Sequence, residues 1–275
     1  MLKKNNKKNC SDYQNLSFNC FGQMKRQGKL RPIIFLFLTT ISVSQSPSVI
    51  GPQGLILTPT AFKPNDGKIG FGYTYLQGDH VPVKGRQAAK ENHLLFCNFT
   101  FLPKLNLTST LTIVPDFEGH DGTNTLKDLA IFAQFHILNE TKKRPSLAVG
   151  IYDFHSYSFY NALFMVASKS NRVNNVLAIH THFGYGVDWI DEHLGDTGPD
   201  RNLDVYHYLV GAFFGIDISF KNLTLLMEYC SDEYNKTKLN IGIKAHIYKR
   251  GVLSLSSVDG KTYSIGFSTP FINLK

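Results

Sequence analysis

His180 and His182 stand two residues apart, the spacing that places both imidazoles on one face of a β-strand and could bring two nitrogen ligands to a metal. No carboxylate or cysteine close to them in the sequence completes a ligand set, so no metal is assigned, and inward-facing polar residues are the plainer reading. Asp217, Glu228, Lys244 and His246 also carry chemistry. On the polar faces of late strands they could pair with one another or line a path for a hydrophilic chain, and structural pairing is the preferred reading. All six are candidate lumen-lining residues. No catalytic residue and no cofactor is assigned, because the sequence has no nucleophile elbow, phosphate loop or CxxC pair. A hydrolase built from residues far apart in sequence remains a minor alternative.

The elements that must position these residues alternate with period two, the signature of strands with unlike faces. In "KIGFGYTYL", Ile69, Phe71, Tyr73 and Tyr75 oppose Gly70, Gly72 and Thr74. In "KLNLTSTLTIV", Leu105, Leu107, Leu111 and Ile113 oppose Asn106, Thr108, Thr110 and Thr112, with Ser109 the intruder on the apolar side. "YLVGAFFGIDISF" alternates likewise, although Leu209 and Phe213 blur its polar face, and "KLNIGIKAHIY" sets Leu239, Ile241 and Ile243 against Asn240, Gly242 and Lys244. Less regular segments such as "HLLFCNFTF", "LAIFAQFHI" and "ALFMVASK" bring the expected total to roughly twelve strands, most near the length of about ten residues that suits a tilted bilayer crossing. Short connections ("LPK", "FKN", "KRG") alternate with long polar ones, the habit of an up-and-down outer-membrane barrel. The expected fold is therefore all-β, a single antiparallel up-and-down transmembrane barrel of roughly twelve strands. A soluble exported β-sandwich that binds a ligand is the competing reading of the same alternation.

The chain has 275 residues and a formal charge of +8, but the charge is unevenly placed. Residues 1–44 hold eight bases and one acid, which leaves +1 for the rest and removes the main support for a nucleic-acid partner. "MKRQGKLRP" followed by the apolar "IIFLFLTTISV" reads as a cleaved secretory signal peptide, with Met24 as an alternative start. The expected organisation is a leader over 1–44, an N-terminal segment over 45–67 and a barrel over 68–275. Cys97 and Cys230 fall on different faces and are expected to be free thiols, while most of the sequons at Asn98, Asn106, Asn139, Asn222 and Asn235 are taken as coincidence, a glycosylated soluble β-protein being the reading they would favour.

The N-terminal segment also carries a motif. "GLILTPTAFKPNDGKIGFGYTY", followed in order by "PSLAVGIYDF", "MVASK", "HFGYG" and "LLMEYCSDEYN", resembles the YjbH-like family of bacterial outer-membrane barrel proteins over most of the chain after the leader. The resemblance implies an outer-membrane location and a non-catalytic role in exopolysaccharide production or export, as a structural or conduit component. It implies outer-membrane lipid, polysaccharide and export-machinery proteins as partners. A small porin with no polysaccharide role is the alternative within the same fold.

Overall fold

The computed structural model describes residues 46–64, 66–77, 91–115, 125–153, 162–187, 209–231, 237–247, 251–269 and 272–273. The leader lies outside them. The strands are β1 (Lys68–Gln77), β2 (Glu91–Leu102), β3 (Leu105–Pro115), β4 (Thr125–Leu138), β5 (Ser146–Tyr152), β6 (Ala162–Arg172) and β7 (Leu177–Val187). They continue as β8 (Gly211–Phe220), β9 (Leu223–Ser231), β10 (Thr237–Ile247), β11 (Gly251–Val258), β12 (Thr262–Ser268) and the short β13 (Ile272–Asn273). Each of the first twelve pairs antiparallel with its sequence neighbours, and β12 pairs back onto β1 from Gly72↔Ser268 to Leu76↔Ser264. This is a closed twelve-stranded up-and-down barrel, with no helix among the described residues. Closure leaves no second sheet, so the β-sandwich alternative falls.

Alternation decides which side chain goes where. Phe71 and Tyr73 of β1, Met165 of β6, Phe183 and Tyr185 of β7 and Ile241 of β10 face outward and stay exposed, while their sequence neighbours face inward and, apart from the half-buried Gly72, are buried. Antiparallel order also sorts the connections. Residues 103–104, 139–145, 173–176, 221–222 and 248–250 join strands at one end, and 78–90, 116–124, 153–161, 188–210, 232–236 and 259–261 at the other. Lys104 and Lys221 take positive φ (66° and 52°), which closes two of the tightest turns at the short-connection end.

The interior has two tiers. Towards the long connections large apolar residues predominate inside, among them Leu94, Tyr152, Phe164 and Phe213, with Asn92 and Thr112 buried beside them, and Phe132 and Leu226 mark the boundary, in register with Thr108 and Asp217. Towards the short connections the inward residues are polar, among them Asn98, Thr108, Gln134, His136, His180 and Asp217. This division explains the irregular strands: "HLLFCNFTF", "ALFMVASK" and the Leu209/Phe213 region are apolar on both faces because their inner face lies in a dry tier. Phe132, Tyr152 and Phe164 meet edge to face there, with centroids 4.7 and 4.8 Å apart.

Inward glycines make room for rings from the paired strand. Gly72 faces Phe96, Gly150 faces Phe164 and Gly184 faces Phe213 in direct register. A Cβ on Gly184 would lie 2.1 Å from the Phe213 ring. Gly184→Ala is therefore expected to destabilise the barrel by about 1–3 kcal/mol through overpacking. A lowered urea midpoint for loss of the compact, heat-modifiable band would show it, and an unchanged midpoint would contradict the slot.

Candidate functional site

A barrel of about eight strands is filled by its own side chains, whereas about sixteen leave an open channel. Twelve strands leave space, and residues 46–62 occupy it. Segment 46–62 folds back on itself through bridges Pro47↔Gln53 and Gly54↔Pro59. Internal bonds from Ser48 N to Pro52 O (2.7 Å), Val49 N to Ile56 O (2.8 Å) and Leu55 N to Thr58 O (2.9 Å) close the two turns. Its prolines remove amide donors that a dry lumen could not satisfy. Two glycines are required by close approach. Gly51 has φ +107°, and a Cβ on Gly54 would meet the Thr58 carbonyl oxygen at 2.3 Å. Ile50, Leu55, Ile56 and Leu57 of this plug join the apolar tier in one buried cluster.

The polar tier grips the plug by its backbone. Asn98 Nδ2 donates to Gly51 O (3.1 Å), Thr110 Oγ1 to Ile50 O (2.8 Å), Gln134 Nε2 to Thr60 O (2.6 Å) and Lys244 Nζ to Gly54 O (2.8 Å). Ala61 N donates to Ser168 Oγ (2.7 Å), and His136 Nδ1 contacts Ala61 O at 3.2 Å. Glu228 is the strongest anchor. Its carboxylate accepts three consecutive plug amides, Ile56 N (3.1 Å), Leu57 N (2.8 Å) and Thr58 N (3.1 Å), and also Thr58 Oγ1 (2.7 Å) and Asn240 Nδ2 (2.8 Å). Successive amides converging on one anion form a nest. Strands β2, β3, β4, β6, β9 and β10 all contribute, so the plug is held from around the wall.

The candidate residues are divided by this arrangement. His180, His182, Asp217, Glu228 and Lys244 all point inward and are buried, and His246 is half-buried on β10. The expected pairing among Asp217, Glu228, Lys244 and His246 does not form: among the described residues no ion pair joins any two of them. Glu228 and Lys244 turn to the plug instead, because its unpaired amides and carbonyls are the nearest groups of opposite polarity.

Asp217 joins the two histidines. His180 Nδ1 lies 2.5 Å from Asp217 Oδ1, and His182 Nε2 lies 3.0 Å from Oδ2. A carboxylate only accepts, so both ring nitrogens carry protons. In the neutral ring His182 Nδ1 then accepts from Ser168 Oγ (2.8 Å), which itself receives the Ala61 amide. Phe62 of the plug stands edge-on to both rings, with centroids at 5.4 Å. Among the described residues no group of three or more His, Cys, Asp or Glu is arranged to hold a metal.

Sequence reasoning missed Asn98, Thr110, Gln134, His136, Ser168 and Asn240 as plug contacts. Their inward positions follow from the alternation, but that main-chain groups would be their partners has no signal in strand periodicity. Asn98 and Asn106 lie inside the barrel, where neither sequon can carry a glycan. Cys97 and Cys230 form no disulfide.

Residues 46–275, which are the plug and the barrel together, match the family YjbH, described as exopolysaccharide biosynthesis protein YbjH. The chain belongs to the YjbH family. In this YjbH-family chain the motif "GLILTPTAF" is thus the part of the plug that Glu228 and Lys244 hold. No curated protein matches it. Among solved structures it is similar to the KdgM porin, at 12% identity and a TM-score of 0.44, covering 74% of this chain and 99% of that one. It is similar to outer membrane phospholipase A from Escherichia coli at 15% and 0.42, covering 76% and 97%. An outer membrane channel from Pseudomonas putida F1 follows at 9% and 0.39, covering 77% and 98%. With none of these scores above 0.44, the barrel rests on its own strand pairings.

Proposed function

We propose that the chain is a non-catalytic conduit of the bacterial outer membrane, exported by a cleaved signal peptide, that serves polysaccharide production or export and is closed by its own N-terminal plug. The observation that carries this reading is the chemistry of the wall around the plug. A permanent core would be apolar, yet Asn98, Thr110, Gln134, Ser168, Glu228 and Lys244 face the lumen and are satisfied by the backbone of one segment. If that segment leaves, the same side chains hydrate or bond to a hydroxyl-rich chain, and the wall stays wet. The apolar residues beyond it, with Phe132, Tyr152, Phe164 and Phe213, pack with Ile50, Leu55, Ile56 and Leu57 of the plug and keep the lumen dry while the plug is in place.

Membrane placement is supported by the outward face. Residues such as Leu95, Met165, Phe183, Tyr185, Leu225 and Ile265 are 46–60% exposed, and a belt of this kind around a closed barrel is stable in lipid rather than in water. The family description supports the polysaccharide role.

One arrangement favours a second reading, since Ser168, His182 and Asp217 are in hydrogen-bond contact in the order a hydrolase would use. Their burial argues against it: they are 1%, 1% and 0% exposed, and the Ser168 oxygen already accepts a plug amide. A nucleophile so placed has no open face for a substrate.

Fractionation of cells expressing the full chain, with heated and unheated gels, tests the placement, and loss of surface polysaccharide on deletion of the gene tests the role. Outer-membrane recovery with a heat-dependent shift and a polysaccharide defect restored by the wild-type gene is the expected result. A soluble periplasmic protein would overturn the placement, and full polysaccharide in the deletion strain would leave only a barrel of other purpose.

A further inference from the structure

The near-neutral charge of the chain after its leader hides a strong polarity between the two ends of the barrel. The connections at the long end contain fourteen acids and six bases, whereas those at the short end contain seven bases and one acid. Among the described residues at the short end, Lys104, Lys142, Lys143, Arg144, Arg172 and Lys221 are exposed. The one acid of these connections, Glu140, is engaged by Lys169 at 3.3 Å, and Asp66, just before β1 at the same end, by Lys63 at 2.9 Å. The excess of positive charge is therefore free to act on something outside the chain.

We infer that this basic rim is a collar that binds anionic phospholipid headgroups at the short-connection mouth. The inference rests on the membrane placement proposed above. Its ground is where the cations sit relative to the apolar belt. Outward Leu102 is 43% exposed and Lys104 follows two residues later. Ile137 and Leu138 close the belt on β4, just before the turn that holds Lys142, Lys143 and Arg144. Lys221 separates outward Phe220 from Leu223, and its Nζ lies 5.6 Å from the centre of the Phe220 ring. A cation held against a lipid-facing ring at the end of a strand is at headgroup depth, where long basic side chains lay their stems on apolar surface and their charge on phosphate.

An anionic polymer drawn into the mouth is the competing occupant, and the interior disfavours it. Beyond the rim such a chain would meet the buried carboxylates Asp217 and Glu228, with Lys244 the one buried lysine among the described residues. Phosphates held in the surrounding leaflet meet only the rim. The collar would fix the barrel's height and direction in the membrane and keep the short end in the leaflet that carries anionic phospholipid.

The test uses the full mature chain in mixed micelles of phosphatidylglycerol and phosphatidylcholine, with retained lipids counted by native mass spectrometry. One basic residue at an anionic surface contributes about a fivefold preference. The wild-type barrel is expected to retain phosphatidylglycerol over phosphatidylcholine by at least about fivefold, with the preference weakened by added salt. The variant K104Q/K142Q/K143Q/R144Q/K221Q should approach parity, and K142Q/K143Q/R144Q, which leaves both positive-φ turns alone, should fall part of the way. Equal retention by the wild type, or a preference unchanged in both variants, overturns the collar. Binding of alginate that falls in the variants while lipid preference stays constant also overturns it, in favour of a polymer mouth. Each sample's heat-dependent gel shift is read in parallel, so a folded barrel without lipid preference sinks this inference and leaves the conduit standing.

Discussion

Glu228→Ala is expected to release the plug and convert a closed barrel into one that conducts ions across a planar bilayer. The substitution removes the acceptor of five hydrogen bonds, three of them from consecutive amides of the plug. Bonds to a carboxylate contribute roughly 1.5–3 kcal/mol each, and a buried donor left without an acceptor costs about 1–3 kcal/mol. These terms are not additive, since water can enter once the grip loosens, so a net loss of about 3–5 kcal/mol is the working figure. At about 1.4 kcal/mol per factor of ten, the plug-out population rises by roughly two to four orders of magnitude. Glu228→Gln keeps one acceptor oxygen and should give rarer, shorter openings. Deletion of residues 46–62 sets the upper limit of conductance. If Glu228→Ala is as silent as the wild type while the deletion conducts, the carboxylate is not the anchor. If the deletion is silent as well, the apolar tier closes the barrel without the plug.

The wall of this site was far more legible in the sequence than its contents. Alternation alone gives the outward positions of Phe71, Tyr73, Ile241 and Ile243, and it puts His180, His182, Asp217, Glu228 and Lys244 on the opposite face. It works because a closed sheet offers only two environments, and a strand's side chains must alternate between them. The strands it renders poorly are those of the dry tier, where Leu94, Phe164 and Phe213 face inward and both faces read as apolar. Partners are a different matter. Whether Glu228 meets Lys244 or the amides of Ile56, Leu57 and Thr58 depends on a segment about 170 residues away that has no periodicity of its own. "GLILTPTAF" is visible as a motif, with prolines and glycines at fixed places, but their reason is steric and local to a lumen the sequence does not display.

Asp217→Ala is expected to destabilise the barrel itself, by about 3–5 kcal/mol, because it leaves two imidazole N–H groups buried with no acceptor. A lower urea midpoint for the heat-modifiable band measures it. Asp217→Asn should recover much of the loss: its carbonyl oxygen accepts from one ring, and its amide donates to the other once that ring moves its proton to the far nitrogen. This pattern separates a structural clamp from a catalytic carboxylate, for which the same Asn would keep the fold and abolish turnover. Ester hydrolysis read in parallel sharpens the distinction. Neither the wild type nor Glu228→Ala, in which the plug no longer covers Ser168, is expected to show hydrolysis that Ser168→Ala removes. A Ser168-dependent rate in the unplugged barrel would overturn the clamp. It would make the plug an inhibitor of a hydrolase, since the hydrogen bond from the Ala61 amide would then be what holds the nucleophile silent.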